Sequence, residues 1–102
     1  MRSAKLVAPG RIEIFEDRMP LPTEGEVLVR VKAAGICGSD LHIYKGERPD
    51  VELPRILGHE LVGEVESAGS GVTGFSKGDR VTIDPVVSCG ECVSCRRGYD
   101  NL

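Results

Sequence analysis

Apolar and polar residues alternate along several stretches of this chain. In residues 26–32 every second position is a valine, and most of the positions around the valines are charged. This period of two is typical of a strand with one buried face. The alternation recurs more weakly in residues 11–15 and 61–65, and a glycine-rich turn leads to another short apolar stretch at residues 81–83. The pattern predicts a mainly β domain.

One segment departs from this alternation and predicts a helix. Ser39 and Asp40 are residue types that cap helix N-termini, and the residues that follow them are interrupted by Gly46 and Pro49. We therefore expect a single short helix over residues 39–44.

Composition limits the classes of protein to which the chain can belong. Its 102 residues and formal net charge of -3 suit one modest domain and provide no broad basic surface for nucleic acid. No stretch of about eighteen apolar residues is present, and residues 1–10 lack the apolar run of a signal peptide. We therefore expect a cytoplasmic protein with no nucleic-acid or membrane partner.

Three cysteines recur at intervals of three near the end of the sequence: Cys89, Cys92 and Cys95. In a reducing compartment, thiols at this spacing are better explained as metal ligands than as disulfides or incidental loop residues. Bacterial ferredoxins share the C-x-x-C-x-x-C spacing, but they continue with three residues, a fourth cysteine and a proline, where this chain has Tyr99 and Asp100. The sequence favours a zinc site with one ligand missing.

A second group of metal-type residues lies in two separate segments. Cys37 and His59 offer a thiol and an imidazole, which are two of the three protein ligands of a catalytic zinc. Ser39 offers a hydroxyl, Asp40 can accept a bond from a ligand imidazole, and His42 can pass a proton outward. Taken singly, each residue has a simpler interpretation: Cys37 as a small buried residue and His59 as a hydrogen-bonded structural residue. Chain spacing does not show that Cys37 and His59 meet, so both interpretations stay open.

Longer stretches of the sequence resemble a known enzyme family. The zinc-containing medium-chain dehydrogenases, which include alcohol, sorbitol and threonine dehydrogenases, contain in the same order the segments GICGSDLHIYKG, PRILGHELVGEVESAGSGV, KGDRV and CGECVSCRRGYDNL. The resemblance extends from about residue 25 to residue 102. It implies that residues 1–102 form an incomplete GroES-like catalytic domain: a mainly β distorted barrel with one short helix and a zinc-binding loop.

The resemblance also implies two zinc sites. The residues that match Cys37 and His59 bind the catalytic zinc in that family, the residue that matches Glu60 lies beside the metal, and a further ligand comes from later sequence. The family's structural zinc loop has four cysteines, the last of which lies eight residues after the position of Cys95. That position falls one residue past Leu102, so we expect the chain to be part of a longer enzyme whose Rossmann domain lies elsewhere.

A proton relay and a reaction follow from the same resemblance. Ser39 takes the proton of the substrate hydroxyl, His42 forms the outer end of the relay, and Asp40 orients the imidazole of His59. The reaction is hydride transfer between a secondary alcohol and NAD or NADP. Gly38 stands where classical alcohol dehydrogenases often have a basic residue, which resembles the polyol, sugar-acid and threonine branches.

These expectations concern the full-length enzyme, for which we also expect a small-molecule alcohol substrate and a homo-oligomeric state. Residues 1–102 alone are expected to lack dehydrogenase activity. The alternative is a stand-alone GroES-like zinc-binding module without catalytic activity, which would have no use for a serine and a histidine beside an open metal site.

Overall fold

The computed structural model describes residues 1–101 and shows a mainly β chain with two short helices. Its elements, in chain order, are β1 (Arg2–Ala8), β2 (Arg11–Glu16), β3 (Val27–Ala34), α1 (Gly38–Tyr44), β4 (Leu61–Ala68), β5 (Arg80–Thr82) and α2 (Val93–Arg96). An antiparallel pair is formed by β1 and β2, and a three-stranded antiparallel sheet by β3, β4 and β5, with β4 in the centre. The predicted mainly β class is confirmed.

The four strands predicted from sequence are present as β2 to β5, whereas β1 was not predicted. The two buried side chains of β1 are Ser3 and Leu6, which are three residues apart, so its sequence lacks a period of two. Its pairing with β2 also shifts register between Leu6 and Ala8. The irregular spacing explains why the alternation did not reveal this strand.

The valine face of β3 is less buried than the sequence pattern predicts. Val27 and Val29 are half-buried, whereas Val31 is 52% exposed. The pairing of β3 with β4 shifts register between Leu28 and Val29, which precede Val31, and again between Val31 and Ala33. Such an irregularity turns the following side chains out of the regular alternation.

The pairing of β3 with β4 decides where the candidate site lies. Ala34 at the end of β3 is opposite Leu61 at the start of β4. Because the strands are antiparallel, the residues just after β3 are neighbours of those just before β4. The backbone N–H of Gly35 accordingly donates to the carbonyl oxygen of Glu60 at 2.6 Å. The two segments that carry Cys37 and His59 thus run side by side.

The helix α1 begins one residue earlier than predicted and ends at the predicted residue. Cys37 is its N-cap residue, and Gly46, with φ of 79°, provides the left-handed turn after its C-terminal end. The turn between β1 and β2 holds this end, since the N–H of Gly10 donates to the Tyr44 carbonyl at 2.7 Å and the Tyr44 hydroxyl donates to the Gly10 carbonyl at 3.0 Å.

The single-turn helix α2 was not predicted. Cys92 is its N-cap residue and accepts a hydrogen bond from the N–H of Cys95 at 3.5 Å. A four-residue helix is too short to show an apolar periodicity, so sequence gives no sign of it. Neither helix of residues 1–101 has the length and apolar character needed to cross a bilayer.

Candidate functional site

Asp40 joins the two segments that carry the candidate zinc ligands. Its side chain belongs to the first turn of α1, and the residue is only 7% exposed. One carboxylate oxygen accepts the backbone N–H of Cys37 at 2.9 Å, and the other accepts the backbone N–H of Gly58 at 3.2 Å. These bonds compensate the burial of the carboxylate and fix the start of α1 against the segment that leads into β4.

Cys37, His59 and Glu60 come together at this junction. One potential ligand atom from each, the Cys37 sulfur, an imidazole nitrogen and a carboxylate oxygen, lies within 4.8 Å of the other two. Cys37 and His59 are half-buried, whereas Glu60 is exposed. The question that chain spacing left open is therefore answered: the thiol and the imidazole are neighbours.

The chemistry of this donor set fits zinc. Thiolate, imidazole and carboxylate are the three ligand types of protein zinc sites, and a catalytic site keeps a position open for water or substrate. Nδ1 of His59 lies 3.5 Å from a carboxylate oxygen of Asp40. A carboxylate on this side favours a proton on Nδ1 and leaves Nε2 as the nitrogen available to a metal.

An open groove of about 670 Å³ adjoins His59 and Glu60. It lies across one end of the three-stranded sheet, and His59, Glu60, Thr82 and Ile83 are among the residues that line it. Its volume is within the range of small-molecule sites, about 300–1,000 Å³. A ligand in this groove would lie beside His59 and Glu60.

Ser39 and His42 lie on α1, three residues apart, which places them on neighbouring positions of one helix face. Ser39 is half-buried, and the His42 side chain is 62% exposed. Nδ1 of His42 is hydrogen-bonded to a carboxylate oxygen of Glu47, and this bond lowers the pKa of Glu47. Glu47 was not identified from sequence, because it lies beyond the end of α1 and meets His42 only through the turn that follows the helix.

The three later cysteines also form a cluster. The sulfur atoms of Cys89, Cys92 and Cys95 lie within 4.8 Å of one another, with Cys92 to Cys95 at 3.5 Å and Cys89 to Cys95 at 3.8 Å. Hydrogen bonds from the backbone of Glu91 and then of Cys92, with smaller contributions from the two other thiols, lower the pKa of Cys89 to about 7. Gly90, with φ of 76°, forms the turn that brings these groups together.

Residues 1–101 combine a mainly β fold with two separate clusters of zinc-type donor groups, one of a thiol, an imidazole and a carboxylate and one of three thiols. This combination defines the class of zinc-type domains. Residues 23–102 match the family described as "Alcohol dehydrogenase GroES-like domain", and the chain belongs to this family. The GroES-like fold that the sequence predicted is thereby confirmed.

Relatives of known sequence and structure agree with this assignment. The chain is 47% identical over 102 residues to the starvation-sensing protein RspB of Escherichia coli K12, covering 100% of this chain and 30% of that protein. It is 48% identical over 95 residues to the sorbitol dehydrogenase of Bacillus subtilis, covering 88% of this chain and 27% of the relative. The crystal structure of RspB from Escherichia coli CFT073, described as a short chain alcohol dehydrogenase complexed with NADH, superposes with a TM-score of 0.89 at 46% identity and covers 99% of this chain and 29% of that one. The chain thus spans about 30% of the length of these relatives.

Proposed function

We propose that residues 1–102 are the amino-terminal part of the catalytic domain of a zinc-dependent dehydrogenase. The full-length enzyme would transfer hydride between a secondary alcohol and NAD or NADP. The observation that carries the proposal is the meeting of the Cys37, His59 and Glu60 donor atoms within 4.8 Å, at a junction fixed by Asp40. A binding module without catalytic activity has no need of this open donor set beside a groove.

This chain would provide two of the ligands of the catalytic zinc. Cys37 and His59 would hold zinc, with Glu60 beside it, and a third ligand would come from later sequence, as in the family that the motifs resemble. Bound zinc supplies Lewis acidity to the substrate oxygen and so favours the alcohol's deprotonated form. Asp40 would keep the His59 imidazole in the orientation in which Nε2 is the ligand atom, since its carboxylate lies 3.5 Å from Nδ1.

The proton released by the substrate would leave through α1. Ser39, two residues from Cys37, would accept the hydroxyl proton, and His42 on the same helix face would pass it to solvent. The exposure of the His42 side chain, 62%, supports its place at the outer end. Glu47 would hold Nδ1 of His42 and leave Nε2 to exchange protons.

The loop of Cys89, Cys92 and Cys95 would hold a second, structural zinc. Three sulfur atoms already lie close to one another, and the fourth ligand is proposed to be the residue that follows Leu102 in the full-length protein. A site of four thiolates has no open position, so this zinc would stabilise the loop and take no part in the reaction.

The nicotinamide cofactor would bind to a Rossmann domain outside residues 1–102. Gly69, Gly71 and Gly74 have the spacing of a dinucleotide fingerprint, but the next element after them is the strand β5, where the fingerprint requires a helix. The sorbitol dehydrogenase relative and the glycine at position 38 support a polyol or a related secondary alcohol as substrate. The proposal also includes a homo-oligomeric state and a cytoplasmic location for the full-length enzyme.

The test uses the full-length protein, with zinc content and dehydrogenase activity measured on the same samples. A panel of polyols, sugar acids and threonine would be assayed with NAD and with NADP. We expect Cys37→Ser to lose the catalytic zinc and the activity, and Cys95→Ser to lose the other zinc. Residues 1–102 alone should show no hydride transfer. Zinc at both sites without activity on any alcohol would favour the binding-module alternative, and full activity in Cys37→Ser would contradict the assigned site.

A further inference from the structure

Gly35 lies against the side chain of Glu60. A Cβ atom built on Gly35 would stand 2.8 Å from the Glu60 Oε2 atom and 3.3 Å from its Cβ atom. Non-bonded carbon atoms prefer a separation of about 3.5–4.0 Å, so the carboxylate occupies space that any side chain at position 35 would take. The backbone hydrogen bond from Gly35 to Glu60 at 2.6 Å keeps the two residues at this separation.

Backbone conformation does not explain the glycine at this position. Gly58 and Gly90, among other glycines, have positive φ values that other residues rarely adopt, but Gly35 is not one of them. Gly38, three residues later, also lacks a positive φ, and a Cβ atom there would meet no other atom within 4 Å. Of these two glycines, only Gly35 leaves room for a neighbouring carboxylate.

We propose that Gly35 is a positioning residue for Glu60, and that its missing side chain keeps the Glu60 carboxylate beside Cys37 and His59. A methyl group at position 35 displaces the carboxylate, because the atom in closest conflict is the end of a flexible and exposed side chain. The Glu60 Cβ atom, at 3.3 Å, has to shift by only a few tenths of an ångström, so the main effect falls on the carboxylate. The proposal rests on the proposed function only in treating Cys37 and His59 as metal ligands.

The consequence for the metal is electrostatic. A carboxylate close to the Cys37 and His59 donor atoms adds negative charge at the point where a cation would bind, and a displaced carboxylate adds less. Residues next to metal ligands commonly change metal affinity by about 10–100-fold when they are replaced. We expect Gly35→Ala to weaken zinc binding at the Cys37 and His59 site about tenfold, at the lower end of this range.

The first measurement is structural and needs no metal. Crystal structures of the full-length Gly35→Ala and Gly38→Ala variants should show the Glu60 carboxylate moved by about 1 Å or more in the former and unmoved in the latter. The Gly38→Ala variant controls for the loss of a glycine next to Cys37. A carboxylate that keeps its position in Gly35→Ala would overturn the proposal.

The second measurement is a double-mutant cycle on zinc affinity by chelator competition, with Gly35→Ala, Glu60→Ala and the double variant. If Gly35 acts through Glu60, Gly35→Ala should weaken zinc binding about tenfold when Glu60 is present and less than about twofold in the Glu60→Ala background. Equal effects in both backgrounds, or tighter binding in Gly35→Ala, would overturn the proposal. Failure of the unsubstituted protein to bind zinc at Cys37 and His59 would contradict the proposed function alone, because the crystal structures would still decide the role of Gly35.

Discussion

The carboxylate of Asp40 lies 3.5 Å from Nδ1 of His59, although the two residues belong to separate segments of the chain. The same carboxylate accepts the backbone N–H groups of Cys37 and Gly58. One buried side chain thus contacts the backbone of Cys37, the backbone of Gly58 and the imidazole of His59. The arrangement of the candidate ligands therefore depends on Asp40.

Replacement of Asp40 by asparagine should therefore weaken the candidate zinc site while both ligands remain. An asparagine amide group presents a donor where the carboxylate accepts two backbone donors, so one buried N–H loses its partner. We expect zinc affinity in the full-length protein to fall by about 10–100-fold, and the free energy of unfolding to fall by about 1–3 kcal/mol.

The matched control for this variant is Asp50→Asn. Asp50 is an exposed carboxylate paired with Arg48 at 2.7 Å, and it has no contact with the candidate ligands. For Asp50→Asn, chelator competition should show an unchanged zinc affinity, and denaturant unfolding should show an unchanged free energy of unfolding. An Asp40→Asn protein that binds zinc as tightly as the unsubstituted one would contradict the assigned role of Asp40.

Replacement of Ser39 by alanine should separate catalysis from metal binding. The hydroxyl is proposed to accept the substrate proton but not to bind the metal, so turnover should fall by about a hundredfold or more with zinc content unchanged. Ser67→Ala is the control, because Ser67 is also half-buried but lies on β4. Parallel loss of zinc and activity in Ser39→Ala would show that Ser39 is structural.

The bond between His42 and Glu47 predicts a single tautomer of the His42 ring. A carboxylate can only accept, and the pKa of Glu47 is lowered by this bond, so neutral His42 must carry its proton on Nδ1. Nitrogen-15 NMR of the full-length protein should detect this tautomer, and Glu47→Ala should remove the preference. Glu52→Ala, which changes another exposed acidic residue, should not. An Nε2–H tautomer in the unsubstituted protein would rule out the proposed direction of proton release.

The lowered pKa of Cys89 predicts a pH dependence of its reactivity in the zinc-free protein. Its pKa falls from an ordinary value of 9.0 to about 7, so the reactive thiolate is present at lower pH than for an ordinary cysteine. The alkylation rate of Cys89, followed by mass spectrometry, should be half-maximal near pH 7 and fall about tenfold per pH unit well below it. Saturating zinc should block the reaction. A midpoint near 9 would show that the backbone of Glu91 does not stabilise the thiolate.

The strands β2 to β5 and the grouping of the three later cysteines could be predicted from sequence because both leave local signals. The alternation of residues 26–32 and the spacing of Cys89, Cys92 and Cys95 can be seen without any knowledge of distant contacts. The meeting of Cys37 with His59 could not be predicted in this way. It results from the register in which Ala34 pairs with Leu61, and register depends on contacts across the whole sheet.

The features that sequence missed depend on neighbours that lie outside local patterns. Glu47 has no motif of its own, and its role follows from the turn that brings it back to His42. Gly35 is one of many glycines in the sequence, and only the position of the Glu60 carboxylate distinguishes it. The buried residues of β1, Ser3 and Leu6, are three residues apart, which does not fit the period of two of a regular strand.

The helix α1 is held by tertiary hydrogen bonds at both ends, by Asp40 at its N-terminal end and by Gly10 at Tyr44. Seven residues are too few for a helix to be stable by itself, so these attachments keep it formed. The amide protons of α1 should therefore exchange with solvent in step with those of the turn between β1 and β2, as one cooperative unit. A loosening of that surface turn would be transmitted along the helix to the Cys37 thiol, although the turn contributes no atom to the cluster of candidate ligands.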